Sequence, residues 1–174
     1  MSDWYEDCNY IYNVTVENIR VKWTRTGGCM YVSPMGKSIS IDVGTYIGIS
    51  SKIGSGVRLG HDAIIQHDVV INSGVNIGNY ARIYPYQKVL QNPYYVVGTR
   101  FPVSECASGI LKIGCEIYKI DIWLQFGESI GEMHYFTKAE NEEYMSYVKH
   151  YSELLKIRED NGIVVFEDNV DGTD

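Results

Sequence analysis

Nowhere does the 174-residue chain offer the ~18 to 20 consecutive apolar residues that a membrane-crossing helix needs, so no membrane partner is expected. Cations are also short: 15 Lys and Arg stand against 22 Asp and Glu, a formal net charge of −7. Phosphate neutralisation needs clustered Lys and Arg, so general nucleic-acid binding is disfavoured, although a local basic pocket is not. The four cysteines, Cys8, Cys29, Cys106 and Cys115, form no C-x-x-C pair. Their spacing suggests neither a zinc site nor a disulfide framework, and reduced cytoplasmic thiols are expected. The acidic start, Met1-Ser2-Asp3-Trp4-Tyr5-Glu6-Asp7, does not read as a secretion signal. Without one, Asn13-Val14-Thr15 is a chance match to the glycosylation tripeptide. Against these shortages stand a hydrophobic content of 45%, enough for a real core, and 15 tyrosines. Tyrosine is common at interfaces because it offers contact area and one polar handle at low entropy cost.

The dominant feature is a period of six. Met35, Ile41, Ile47, Ile53, Leu59, Ile65, Ile71, Ile77, Ile83 and Val89 follow one another without a slip in register. Glycine follows the lead at Gly36, Gly48, Gly54, Gly60 and Gly78, where it is expected to relieve crowding at a corner. Four residues after each lead comes a mostly small or β-branched residue, from Ile39 through Ala81, until Gln87 breaks the column. Short strands pointing alternate side chains inward explain both columns. Three strands and three corners close a triangular coil of about 18 residues, and the hexads make roughly three coils. The leads should then stack as three ladders: Ile41, Leu59 and Ile77; Ile47, Ile65 and Ile83; Ile53, Ile71 and Val89.

This segment resembles the left-handed hexapeptide-repeat family. The resemblance implies a left-handed parallel β-helix, against the usual right-handed crossover, and a homotrimer with sites in clefts between subunits. The expected fold is mainly β, with the helix closed by a β/α C-terminal cap containing two helices. The expected organisation is an N-terminal β cap over 1–34, the repeat over 35–90, strands and two helices over 91–158, and an acidic tail over 159–174. In the N-terminal cap, 13–23 alternates as one or two strands, with a turn at Gly27-Gly28. Beyond the repeat, strands are expected over 94–97, over 110–118 and at 163–166, and the end from Glu167 is expected to be mobile. Asp121 is expected to cap a helix with Trp123, Phe126 and Ile130 on one face. Thr137 and Glu140 make a capping box for the second, whose stripe of Tyr144, Val148, Tyr151 and Leu155 should pack on the end of the prism.

The C-terminal half carries a second resemblance. Tyr95-Val96-Val97-Gly98-Thr99-Arg100, Leu111-Lys112-Ile113-Gly114-Cys115, Ile122-Trp123-Leu124 and the segment from Glu140 to Tyr144 are similar to the tails of small bacteriophage hexapeptide-repeat proteins. Thr99 stands where that group's turn has Ser. The resemblance implies a phage protein acting in the cytoplasm of a bacterial host, and it brings no activity with it.

Gly60-His61-Asp62-Ala63 resembles the His-Asp segment of hexapeptide acyltransferases. That resemblance would make His61 a general base, deprotonating an acceptor for attack on a thioester. No acyl-carrier or coenzyme A determinant accompanies it, and no cofactor is expected. His61 and His67 lie on successive corners, too far apart for one ion within a chain; no third ligand accompanies them, so no metal is expected. Stacking the corners by eighteen puts His61 over Asn79, Asp62 over Tyr80, His67 over Pro85 and Asp68 over Tyr86. Outward-facing Ile64 and Val70 beside the His-Asp corners suggest a surface covered by the trimer partner. Such a cleft would bind through His67, Asp68, Arg82, Tyr84, Tyr86 and Arg100, a set suited to a planar or phosphorylated small molecule. Three functions follow. One is a non-enzymatic phage binder that counters host defence, either by sequestering a nucleotide-like immune signal between subunits or by blocking a host defence protein. The others are an acyltransferase using His61 and a structural phage component.

Overall fold

A computed structural model describes residues 38–168 apart from Ile49, together with the backbone of three preceding strands: β1 (Asn13–Val16), β2 (Ile19–Lys22) and β3 (Cys29–Val32). The hexads form β4 (Ser38–Ile41), β5 (Tyr46–Ile47), β6 (Lys52–Ile53), β7 (Arg58–Leu59), β8 (Ile64–Ile65), β9 (Val70–Ile71), β10 (Asn76–Ile77), β11 (Arg82–Ile83) and β12 (Gln87–Val89). Each pairs in parallel with the strand three along, so β4–β7–β10, β5–β8–β11 and β6–β9–β12 are three ladders. The paired residues are the expected stacks: Ile41 on Leu59 on Ile77, Ile47 on Ile65 on Ile83, and Ile53 on Ile71 on Val89. All nine are buried, as are the residues two before them from Ile39 to Ala81. In that second column Thr45 and Ser51 are buried polar groups, and their hydroxyls donate to the Gly60 and Gln66 carbonyls at 3.0 Å. Parallel ladders eighteen residues apart around an aliphatic axis fit a hexapeptide-repeat β-helix.

The glycines after the leads relieve crowding, as expected, and not by supplying a left-handed backbone. The left-handed backbone of each corner falls three residues before a lead, at Gly44, Ser50, Gly56, Asp62, Asp68, Gly74, Tyr80 and Tyr86. Gly48 and Gly54 instead lie against the backbone of the next coil, at His67 and Ser73, where any Cβ would overlap it.

The flanking strands close the ladder edges. β1 pairs antiparallel with β2 and parallel with β6, and β3 pairs antiparallel with β4. The turn expected at Gly27-Gly28 lies outside the described residues. At the other end β17 (Phe166–Asp168) pairs antiparallel with β12, placing Val165 and Phe166 in the prism core. Glu167 and Asp168, expected in a mobile end, are therefore strand residues, with Lys88 and Gln87 opposite their side chains. Residues 169–174 lie outside the described set.

The cap is a four-stranded antiparallel meander of β13 (Tyr95–Val97), β14 (Pro102–Ala107), β15 (Ile110–Ile113) and β16 (Glu116–Lys119). Two helices cover it, α1 (Ile120–Met133) and α2 (Lys138–Asp160). Thr137 and Glu140 form the expected capping box on α2. Asp121, however, lies in the first turn of α1, and Lys119 is its cap residue. Trp123 and Ile130 are buried, but Phe126 is 46% exposed. Gly127 takes the inward position, because Met145 of α2 fills the space a side chain would need. Tyr144, Val148 and Tyr151 pack with Trp123, Leu111 and Val103 in a separate cap core, with half-buried Leu155 against it. This corrects the expectation that the stripe rests on the prism end: it faces the meander, which supplies its own apolar side.

Candidate functional site

The corners put chemistry on one of the three faces. Three stacked positions on one edge are Gly44, Asp62 and Tyr80, and on the next edge Ser50, Asp68 and Tyr86. The remaining edge carries Gly56 and Gly74. The face between the first two edges is β5–β8–β11. Its outward side chains are Tyr46, Ile64 and Arg82, in register, with Gln66 and Tyr84 just past the ends of β8 and β11.

Both edges repeat one device. His61 Nδ1 lies 3.2 Å from Asp62 Oδ2, and His67 Nδ1 lies 2.8 Å from Asp68 Oδ2. Each imidazole meets a tyrosine edge-on, His61 against Tyr80 at 4.4 Å between centroids and His67 against Tyr86 at 5.0 Å. When the aspartate holds the Nδ1 proton, Nε2 is left as an acceptor. Tyr80 and Tyr86 stand at φ 57° and 58°, where Gly44, Gly56 and Gly74 stand elsewhere. A left-handed backbone costs a side-chain-bearing residue roughly 1–2 kcal/mol, and strain of this kind gathers at binding sites. Replacing either tyrosine with glycine should therefore leave stability within about 1 kcal/mol, the relief of strain offsetting the lost ring contact and the flexibility of glycine. Urea unfolding midpoints of Tyr80→Gly and Tyr86→Gly check this; a loss above that bound would make the rings structural.

Arg82 is held across the face. With its amide oxygen turned toward the guanidinium, Gln66 accepts from Nε at 2.9 Å and Nη2 at 2.8 Å. Among the described residues this partner is neutral, so the cation keeps its charge for an anion. Tyr84 is half-buried; burial pushes its hydroxyl pKa up, with Cys106 adding to the shift, and it stays a donor at neutral pH. Burial also pushes the Cys106 thiol up to about 12, which makes it inert as a nucleophile. Ile64 and Val70 are half-buried and lie on different faces, Val70 on β6–β9–β12.

His61, His67, Asp68, Arg82, Tyr84 and Tyr86 thus border or furnish one face. Arg100 stands apart from them in the cap. Its Nη1 donates to the carbonyls of His134 at 3.3 Å and Tyr135 at 3.4 Å, and its guanidinium covers the Phe101 and Phe136 rings. It borders an apolar cavity lined by Ile113, Trp123, Ile130 and Met145, with Cys115, Glu116 and His134 at the polar rim. Those three put ligand atoms within 4.8 Å of one another, an arrangement that could hold a metal. The Tyr118 hydroxyl and the His134 ring hold the Glu116 carboxyl below the usual range. Sequence reasoning passed over Tyr46 and Gln66, which the eighteen-residue stacking could have added, and stacked Tyr80 over Asp62 without counting it in the binding set. It had no signal for the cap rim, whose residues meet only through tertiary packing.

Residues 50–85 match a family described as bacterial transferase hexapeptide (six repeats). No curated protein and no solved structure matches the chain.

Proposed function

Starting from a hexapeptide-repeat segment with one furnished face, we propose that the chain is a left-handed β-helix of about three coils that assembles as a homotrimer and binds a small molecule without turnover. The ligand lies against β5–β8–β11, between neighbouring subunits. The observation that carries this reading is the doubled edge: a His–Asp pair with a tyrosine in left-handed backbone, repeated six residues apart. A catalytic base is needed once. Two matching edges around a cation and aromatic rings suit the rim of a binding cleft. The chemistry favours a planar, anionic ligand of the nucleotide class. Acting as a bacteriophage counter-defence protein that sequesters a nucleotide signal is the biological role consistent with that ligand.

One observation favours a second reading. The Asp62 contact can leave His61 Nε2 as a proton acceptor, as an acyltransferase base requires. The two readings part when the purified protein is incubated with nucleotides and acyl donors and the bound material is released by heat for mass spectrometry. The binding reading expects an intact nucleotide, with retention weakened by ~1–3 kcal/mol in Arg82→Ala, as for loss of a hydrogen bond to a charged group. An acylated or hydrolysed product, lost by ~100-fold or more in His61→Ala, would establish the acyltransferase instead.

A further inference from the structure

We propose that Cys115, Glu116 and His134 form a binding site for a divalent transition metal, with Zn²⁺ the best match, at the mouth of the apolar cavity in the cap. This site is separate from the β5–β8–β11 face and does not depend on the function assigned to it. Three different elements of local geometry deliver the ligands. Gly114, at φ 59°, turns the chain between β15 and β16 and packs under the Phe101 ring, leaving Cys115 on the turn and Glu116 at the start of β16. His134 follows the last turn of α1, where its N–H donates to the Ile130 and Gly131 carbonyls. The Arg100 guanidinium clamps its carbonyl at 3.3 Å, which fixes the backbone that carries the imidazole.

The distances suit an ion. Glu116 Oε1 is 3.0 Å from His134 Nε2 and 3.8 Å from Cys115 Sγ. Around a tetrahedral zinc, with bonds of about 2.0–2.3 Å, ligand atoms sit roughly 3.2–3.8 Å apart. Cys115 is exposed, so a side-chain rotation can bring its sulfur in without moving the sheet. Thiolate, imidazole and carboxylate together select a borderline-soft metal and disfavour Ca²⁺ and Mg²⁺, which take oxygen ligands. Binding replaces the thiol proton, released to solvent, with a sulfur–metal bond. Three protein ligands leave the fourth position for water or a bound group, facing a cavity whose walls include Phe101, Trp123 and Met145. The alternative is a hydrogen-bonded Glu–His pair with a bystander thiol.

Co²⁺ titration of the full chain under reducing conditions separates these. The metal site predicts one equivalent per chain and a sulfur-to-cobalt charge-transfer band. Cys115→Ser should abolish that band, and His134→Ala should weaken affinity by at least about tenfold, each with an unchanged far-ultraviolet dichroism spectrum. Glu116→Gln serves as a further variant should either of these misfold. Failure to bind one equivalent, or a charge-transfer band that survives Cys115→Ser, overturns the assignment.

Discussion

Ile65→Asp is expected not to fold. Ile65 is fully buried, stacked between Ile47 and Ile83 in the middle of the β5–β8–β11 ladder. The substitution removes apolar contacts worth about 2–5 kcal/mol for large-to-small changes in a core. It also places a carboxylate among the stacked leads of three ladders, all of them aliphatic, which costs several kcal/mol more even if the group protonates. Together these approach the roughly 5–15 kcal/mol that holds a typical domain. Neither edge of the strand offers relief, because β8 is paired on both sides and its backbone cannot shift alone. Circular dichroism and thermal melting check the result. A folded variant with the parent melting point would mean that Ile65 does not face the axis.

The second large effect is expected in the cap, from Arg158→Ala. Glu105 is a buried carboxylate in the middle of β14, only 1% exposed. Its Oε2 accepts from the Tyr94 N–H at 2.8 Å and its Oε1 from the Tyr151 hydroxyl at 2.6 Å. Arg158 Nη1 lies 3.0 Å from both oxygens. Burial, and then the Glu105 charge, push the Tyr151 hydroxyl far above its ordinary range, so it serves as a permanent donor. Two neutral donors remain when Arg158 is lost, but no countercharge among the described residues does. Breaking a buried ion pair from one side costs about 3–5 kcal/mol, because the other charge is stranded. Glu105→Gln should cost less, since an amide oxygen can still accept and the arginine, 11% exposed, retains access to water. Urea midpoints of the two variants test the order. An Arg158→Ala loss below about 1 kcal/mol would show that water or another group already solvates the carboxylate.

The repeat was legible because its physics is local and periodic. An axis-facing side chain every sixth residue leaves an uninterrupted column, and a one-residue slip would have turned Ile47, Ile65 and Ile83 outward. The capping box at Thr137 and Glu140 was legible for a similar reason, since both partners lie within one turn. The face of α1 was misread at Phe126 because glycine carries no hydrophobic signal. The buried stripe is Trp123, Gly127, Ile130 and Gly131, and the two glycines are there to admit Met145 and Asn141 of α2. Strand β14 was missed because Glu105 interrupts its apolar pattern. The partner that makes that carboxylate tolerable lies 53 residues away. The cap rim was hidden in the same way, with Glu116 and His134 18 positions apart and most of a strand and a whole helix between them. On the candidate face, the His-Asp corners and Arg82 could be read from stacking, but Arg100 could not be placed, because its position depends on the packing of α1 and α2.

The claim that the β5–β8–β11 face works between subunits rests on a second copy covering it. Light scattering coupled to size-exclusion chromatography of the purified chain at micromolar concentration measures this directly. The expected mass is three times the 19.8 kDa of one chain. A single species of 19.8 kDa would leave the His61–Tyr80 and His67–Tyr86 edges facing water and would contradict the intersubunit site.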